Sequence, residues 1–111
     1  IVKFNNDYLE KLYLGLLVKG KPRYQEQVIT KFKKTILMLK NAEDLSQLKL
    51  FRGLNFEALK GDYKGFYSVR VDYHYRLILG VELDRILVKE VLTVEDLTNH
   101  YQKYGIFSCC K

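Results

Sequence analysis

From Phe66 to Glu82 the side chains alternate in character with a period of two. Tyr67, Val69 and Val71 alternate with Phe66, Ser68 and Arg70, and Leu77, Leu79 and Val81 alternate with Arg76, Ile78 and Glu82. That spacing belongs to β-strands, whose successive side chains point to opposite faces, and it predicts two strands joined by a short turn. Requiring both strands to turn their apolar residues to one face fixes the register, because a slip of one residue would turn every side chain over. Val69 then lies opposite Leu77 and Val71 opposite Tyr75, which leaves Asp72, Tyr73 and His74 as a three-residue hairpin loop. Arg70 faces Arg76 directly. Like charges opposed across a sheet are destabilising by up to about 1 kcal/mol, so an anion shared between the two guanidiniums is expected. Phosphate fits that requirement through bidentate hydrogen bonds. The plainer alternative leaves both arginines solvated on an exposed face, or paired with Glu82 or Glu90. Ser68 shares the face and can donate to a phosphate. Phe66, also there, can stack a base or pack beneath a neighbouring loop.

The remaining elements follow from spacing and punctuation. Ile1 to Phe4 reads as a short strand or arm. Asn6 and Asp7 offer caps to a helix carrying Tyr8, Leu9, Leu12, Tyr13, Leu16 and Leu17. Gly20, Lys21 and Pro22 interrupt it. Val28, Phe32, Ile36 and Leu39 then recur on one face of a long second helix, with Lys31, Lys33, Lys34 and Lys40 mostly elsewhere. Asn41 to Gly53 suits a packed connector or one extra helical turn. Ile86 to Leu92 is a third β-rich run, and Thr93 with Asp96 forms a capping-box pair ahead of Leu97, Tyr101 and Tyr104, predicting a short terminal helix that ends at Gly105. The order predicts an α+β fold, two N-terminal helices packed on one face of a mostly antiparallel sheet with a short C-terminal helix, and the other face left free for function.

A chain of 111 residues, 48% hydrophobic with one proline and seven glycines, is expected to form one domain over 1–111 with a real core, excluding multidomain enzymes and wholesale disorder. Nineteen Lys and Arg against thirteen Asp and Glu give a net charge of +6, which favours polyanions, nucleic acid first, over acidic partners. Cys109 and Cys110 are adjacent and can form neither a loop-closing disulfide nor a Cys-x-x-Cys metal pair, so a reducing compartment is expected. The longest apolar stretch, Tyr75 to Leu83, is broken by Arg76 and Glu82. No membrane segment is predicted, and a soluble cytoplasmic protein is expected.

Before the hairpin stands a loop, Leu59, Lys60, Gly61, Asp62, Tyr63, Lys64, Gly65, in which two lysines are each followed by a glycine. It lacks the Gly-Lys-Ser/Thr end of a P-loop. Continued through Phe66, Tyr67, Ser68, Val69, Arg70, Val71 and then Tyr75, Arg76, Leu77, it resembles the signature of HigB toxins of the RelE superfamily of toxin–antitoxin systems. That signature is Leu-x-Gly-x-x-x-Gly-x-Trp-Ser-Ile-Arg-Ile followed by Tyr/Trp-Arg, with Tyr67 here in place of Trp.

The resemblance implies a microbial-RNase-like α+β fold and a ribosome-dependent mRNA endonuclease that needs neither metal nor other cofactor. In such chemistry a ribose 2′-hydroxyl attacks the adjacent phosphorus, a base takes its proton, cations stabilise the added charge, and an acid protonates the departing 5′-oxygen. By the resemblance Arg76 stabilises the transition state, Arg70 supports it, and Lys60 and Lys64 hold RNA backbone. The family ends its last strand with an acid, a Tyr and a His, whereas here the His and Tyr come later, as His100 and Tyr101; His100 has the pKa for proton exchange near neutrality. Lys31, Lys33, Lys34 and Lys40 would touch ribosomal RNA. The partners implied are the ribosome, mRNA and a cognate antitoxin of the HigA type, commonly helix-turn-helix. Two other functions fit the same residues: a ParE-like toxin that poisons gyrase without nuclease activity, and an RNA-binding module without catalysis.

Overall fold

The computed structural model describes residues 2–99 apart from 19, 43, 85, 87 and 88. In chain order the elements are β1 (Val2–Phe4), α1 (Asp7–Leu14), α2 (Glu26–Asn41), α3 (Leu45–Leu50), β2 (Glu57–Ala58), β3 (Tyr67–Arg70), β4 (Arg76–Asp84) and β5 (Lys89–Thr98), with single 3₁₀ turns at Arg52–Leu54 and Gly61–Tyr63. The five strands form one sheet in the order β1-β5-β4-β3-β2. All neighbours are antiparallel except β1, which runs parallel to β5. This is the α+β architecture expected.

Local chemistry explains the helix boundaries. Asn6 caps α1 by accepting from the Leu9 N–H at 3.1 Å. Gly15, at φ 76°, closes it in a Schellman arrangement: the Gly15 N–H donates to the Leu12 carbonyl and the Leu16 N–H to that of Lys11. The helix therefore stops before Leu16 and Leu17, which the apolar spacing had placed inside it and which are exposed instead. The connector yields α3, capped by Asp44, whose carboxylate accepts from the Gln47 N–H.

One core fills the space between the helices and the sheet. Leu9, Leu12, Val28, Phe32, Ile36, Leu39 and Leu48 from the helices meet Val69, Leu77, Leu79, Leu92, Val94 and Leu97 from the strands. The hairpin register agrees with the sequence: Val69 pairs with Leu77 and Arg70 with Arg76. Its turn is tied by Asp72, whose carboxylate accepts from the backbone of His74 and Tyr75, each at 2.8 Å.

The end of the sheet differs from expectation. Thr93 and Asp96 do not cap a helix; the strand simply continues to Thr98. Along β4 the core residues Leu77 and Leu79 are two apart, whereas their partners Leu97 and Val94 on β5 are three apart, and a register shift between Ile78 and Leu79 absorbs the extra residue. This is a β-bulge centred on Glu95. It gives a strand an apolar spacing of three, which the sequence shows as helical. Tyr101 and Tyr104, the rest of the predicted helix, lie outside the described residues, as do Cys109 and Cys110. Deleting Glu95 is expected to leave the pairs Leu79–Val94, Ile78–Asp96 and Leu77–Leu97 intact. The loss should be that of its bonds to Asn5 and Asn6, about 1–3 kcal/mol in urea unfolding.

No helix among the described residues is long and apolar enough to cross a membrane.

Candidate functional site

The sheet face away from the helices is organised in rows by strand pairing. Glu57, Ser68, Ile78 and Asp96 lie opposite one another across β2, β3, β4 and β5, and Arg70, Arg76 and Thr98 form the next row. This face was expected to be open. It is partly covered, because the stretch between α3 and β3 folds over it: Leu59 and Ile78 are both buried, with Tyr63 and Phe66 packed on them as a second small core. Ile78 carries the signal for this cover, being an apolar residue in the outward series of its strand. At Gly80, two residues further, a Cβ would lie 2.5 Å from Oγ1 of Thr93, its cross-strand partner, and 3.4 Å from the covering Phe66 ring.

Under this cover the expectation that both arginines stand exposed fails for Arg76, which is 2% exposed. Its Nε donates to Ser68 Oγ at 2.9 Å, and Nη2 donates to the Asn55 carbonyl and, at 3.4 Å, to that of Ser68. Each of these acceptors is a neutral oxygen. Arginine does not shed its proton on burial, so a fixed cation is held here. Among the described residues no carboxylate pairs with it or with Arg70. Arg70 is half-buried, donating from Nε to the Asp72 carbonyl at 3.3 Å, with its guanidinium 5.8 Å from the Tyr73 ring. Ser68 is fully buried and supports Arg76, so its hydroxyl is not open to a phosphate as expected. Phe66 packs against Tyr63 edge-on, the loop-packing alternative, and is half-buried. Lys60 and Lys64 are exposed on the loop above.

Two carboxylates missing from the sequence-derived set join this face. The bulge turns Glu95 and Asp96 toward a cleft of about 370 Å³ lined also by Asn6, Tyr63, Phe66 and Ile78. Glu95 is fixed by Asn5, whose Nδ2 donates to Oε2 at 2.8 Å, and Asn6 Nδ2 donates to its carbonyl. Asp96 accepts from the Leu97 N–H at 2.9 Å. Asp96 stands diagonally from Arg76, a relation of about 7–8 Å between backbones in antiparallel sheets. Nothing in the spacing flagged them, because the bulge that aims them is the feature that mimics a helix. Among the described residues no three His, Cys, Asp or Glu side chains are grouped to hold a metal ion.

These features belong to a known group. A family model described as the RelE-like toxin of the type II toxin–antitoxin system HigB matches residues 2–91. The chain belongs to the HigB-like toxin family. A point mutant of YafQ from E. coli superposes with a TM-score of 0.61 at 18% identity, covering 95% of this chain and 98% of that one. The E. coli DinJ–YafQ toxin–antitoxin complex gives 0.58 at 19% identity over 95% and 97%, and the YoeB/ParE toxin from Agrobacterium tumefaciens 0.57 at 18% over 90% and 98%. At such identities the structures establish the shared fold. A comparison with curated proteins returns no match. The family match covers residues 2–91, which excludes the bulge and its two carboxylates. His100 and Tyr101, the expected acid–base pair, lie outside the described residues.

On the helix side the end of β5 is secured by Tyr24, whose hydroxyl donates to the Leu97 carbonyl at 2.7 Å between Tyr8 and Tyr75. Burial, aided by the charge of Asp96, pushes its pKa from the ordinary 10 up to about 12. A pKa raised on folding means that the unfolded chain loses this proton first. Its stabilisation is complete below pH 10 and is lost as the pH rises toward about 12. Urea midpoints followed across that range should fall for the wild type and fall less for Tyr24→Phe.

Proposed function

We propose that this toxin is a ribosome-dependent mRNA endonuclease acting by 2′-hydroxyl attack, with no metal in its chemistry. The observation that carries this reading is the guanidinium of Arg76, held by neutral oxygens on the sheet face of a HigB-like toxin, two positions along β4 from the residue opposite Asp96. A fixed cation that no described carboxylate pairs with, in a partly desolvated site, stabilises charge that develops on a phosphorane without reorganising first. In the step, the 2′-oxygen bonds to phosphorus as its proton passes to a base. The bond from phosphorus to the 5′-oxygen then breaks as that oxygen takes a proton, leaving a 2′,3′-cyclic phosphate and a 5′-hydroxyl. Asp96 supplies the proton acceptor within the described residues, and the complementary role is left to His100 or Tyr101, the candidates of the sequence for proton exchange. Arg70 supports phosphate beside Arg76. Lys60 and Lys64 hold RNA backbone, and Lys31, Lys34 and Lys40, all exposed, contact ribosomal RNA. Phe66 and Ser68 act as support beneath the site rather than as RNA ligands.

YafQ is found in complex with DinJ. By the same logic we assign this toxin a cognate antitoxin, of the HigA type with a helix-turn-helix as the resemblance implies, and a cytoplasmic site of action on ribosomes. The test is incubation of the purified toxin with mRNA, with and without ribosomes, in EDTA, with products mapped by primer extension. Cleavage that requires ribosomes and survives EDTA supports the reading. Inhibition of gyrase without cleavage, or RNA binding alone, overturns it.

A further inference from the structure

A second concavity lies at the opposite edge of the sheet from β1, where α3 and the 3₁₀ turn after it meet β2 and β3. This groove, of about 600 Å³, is lined by Lys49, Phe51, Arg52, Asn55, Phe56, Ala58 and Tyr67, and no carboxylate lines it among the described residues. Phe56 and Tyr67 stack with centroids 5.2 Å apart and form its floor, with Lys49 Nζ 5.9 Å from the Phe56 ring. Phe51 is 42% exposed at the rim, although a phenyl ring gains by burial. Asn55, in the left-handed conformation at φ 43°, belongs to both sites: it lines the groove, and its carbonyl accepts from Arg76.

We propose that this groove is an accessory subsite for single-stranded RNA, in which a base stacks on Phe51 while Lys49 and Arg52 hold the flanking phosphates. Two cations beside exposed and floor aromatics, with no anion among them, complement a ligand that is both anionic and flat-faced. The cleft at Glu95 and Asp96 carries the opposite charge. Among the described residues Asn55 alone links the groove to the buried cation, lining the one and accepting from the other through its carbonyl. The inference shares with the nuclease reading only that the polymer is RNA; it does not require cleavage.

The experiment measures anisotropy of a short, labelled 2′-O-methyl oligoribonucleotide, which lacks the attacking hydroxyl, over a range of salt concentrations. The double variant Lys49→Ala/Arg52→Ala should bind about tenfold or more weakly, with its log–log salt slope reduced by about 1.4 for two lost phosphate contacts. Phe51→Ala should bind about tenfold more weakly, and Phe51→Tyr nearly as well as the wild type. Lys11→Ala/Lys21→Ala removes the same charge from exposed positions near α1, at the far side of the fold, and should move affinity much less. An equal loss in both double variants, or wild-type binding by the groove variants, overturns the proposal. So does groove-dependent binding of oligoglutamate as tight as that of the RNA, which would make the occupant an acidic polypeptide. Absence of ribosome-dependent cleavage in a wild type that still binds RNA through the groove overturns the nuclease reading alone.

Discussion

Arg76→Ala is expected to lower ribosome-dependent mRNA cleavage by about 10²–10³-fold, the range for removing one preorganised donor from a developing oxyanion. It should also cost about 1–3 kcal/mol of stability, because the side chain is buried and ties Ser68 to the Asn55 carbonyl. An exposed arginine would have shown the first effect without the second. Two further variants separate them. Ser68→Ala removes the bond to Nε but keeps the cation, and should cost about 1 kcal/mol with under a tenfold loss of cleavage. Arg76→Lys keeps the charge but loses the planar fork, and should fall between the two in activity. Chemical denaturation checks stability, and single-turnover cleavage on programmed ribosomes checks activity. Full toxicity in Arg76→Ala would remove this face from the mechanism.

Asp96→Asn carries the second large effect, a fall of about 10²–10⁴-fold in the cleavage step if its carboxylate takes the 2′-hydroxyl proton. The substitution is nearly isosteric and its remaining oxygen can still accept from the Leu97 N–H, so unfolding should change by no more than about 1–3 kcal/mol. Glu95→Gln should cost far less activity, since Glu95 Oε2 is already engaged by Asn5. Equal loss in the two variants would point to the charge of the cleft rather than to one proton acceptor. Unimpaired cleavage in Asp96→Asn would pass the role to residues beyond the described strand.

How far these groups were legible in the sequence depends on whether local pattern and tertiary context agree. Hairpin register was readable to the residue, because Val69, Val71, Leu77 and Leu79 admit one pairing that buries them together. The long helix was readable from Val28, Phe32, Ile36 and Leu39 for the same reason. Two features were hidden. The bulge at Glu95 gave Val94 and Leu97 a helix-like interval, so a strand was taken for a capped helix and its two carboxylates were overlooked. The cover over Arg76 comes from irregular chain, a two-residue strand and two 3₁₀ turns, which leave almost no periodic trace. Ile78 was the one clue. Arg70 and Arg76 were correctly paired, yet whether a charged residue faces water or a neighbouring carbonyl is decided by segments remote in sequence.

The parallel union of β1 with β5 joins Val2 to Leu92, so the first described strand is held by the last. Closing so long a loop is entropically slow, and during synthesis β1 waits for a partner that is made after every other described strand. A nascent copy of this toxin therefore carries an unfinished edge, and lacks the strand bearing Asp96, until β5 has been translated. With Asp96 as the proposed proton acceptor, the ribosome that makes the chain is dealing with an unarmed polypeptide up to that point.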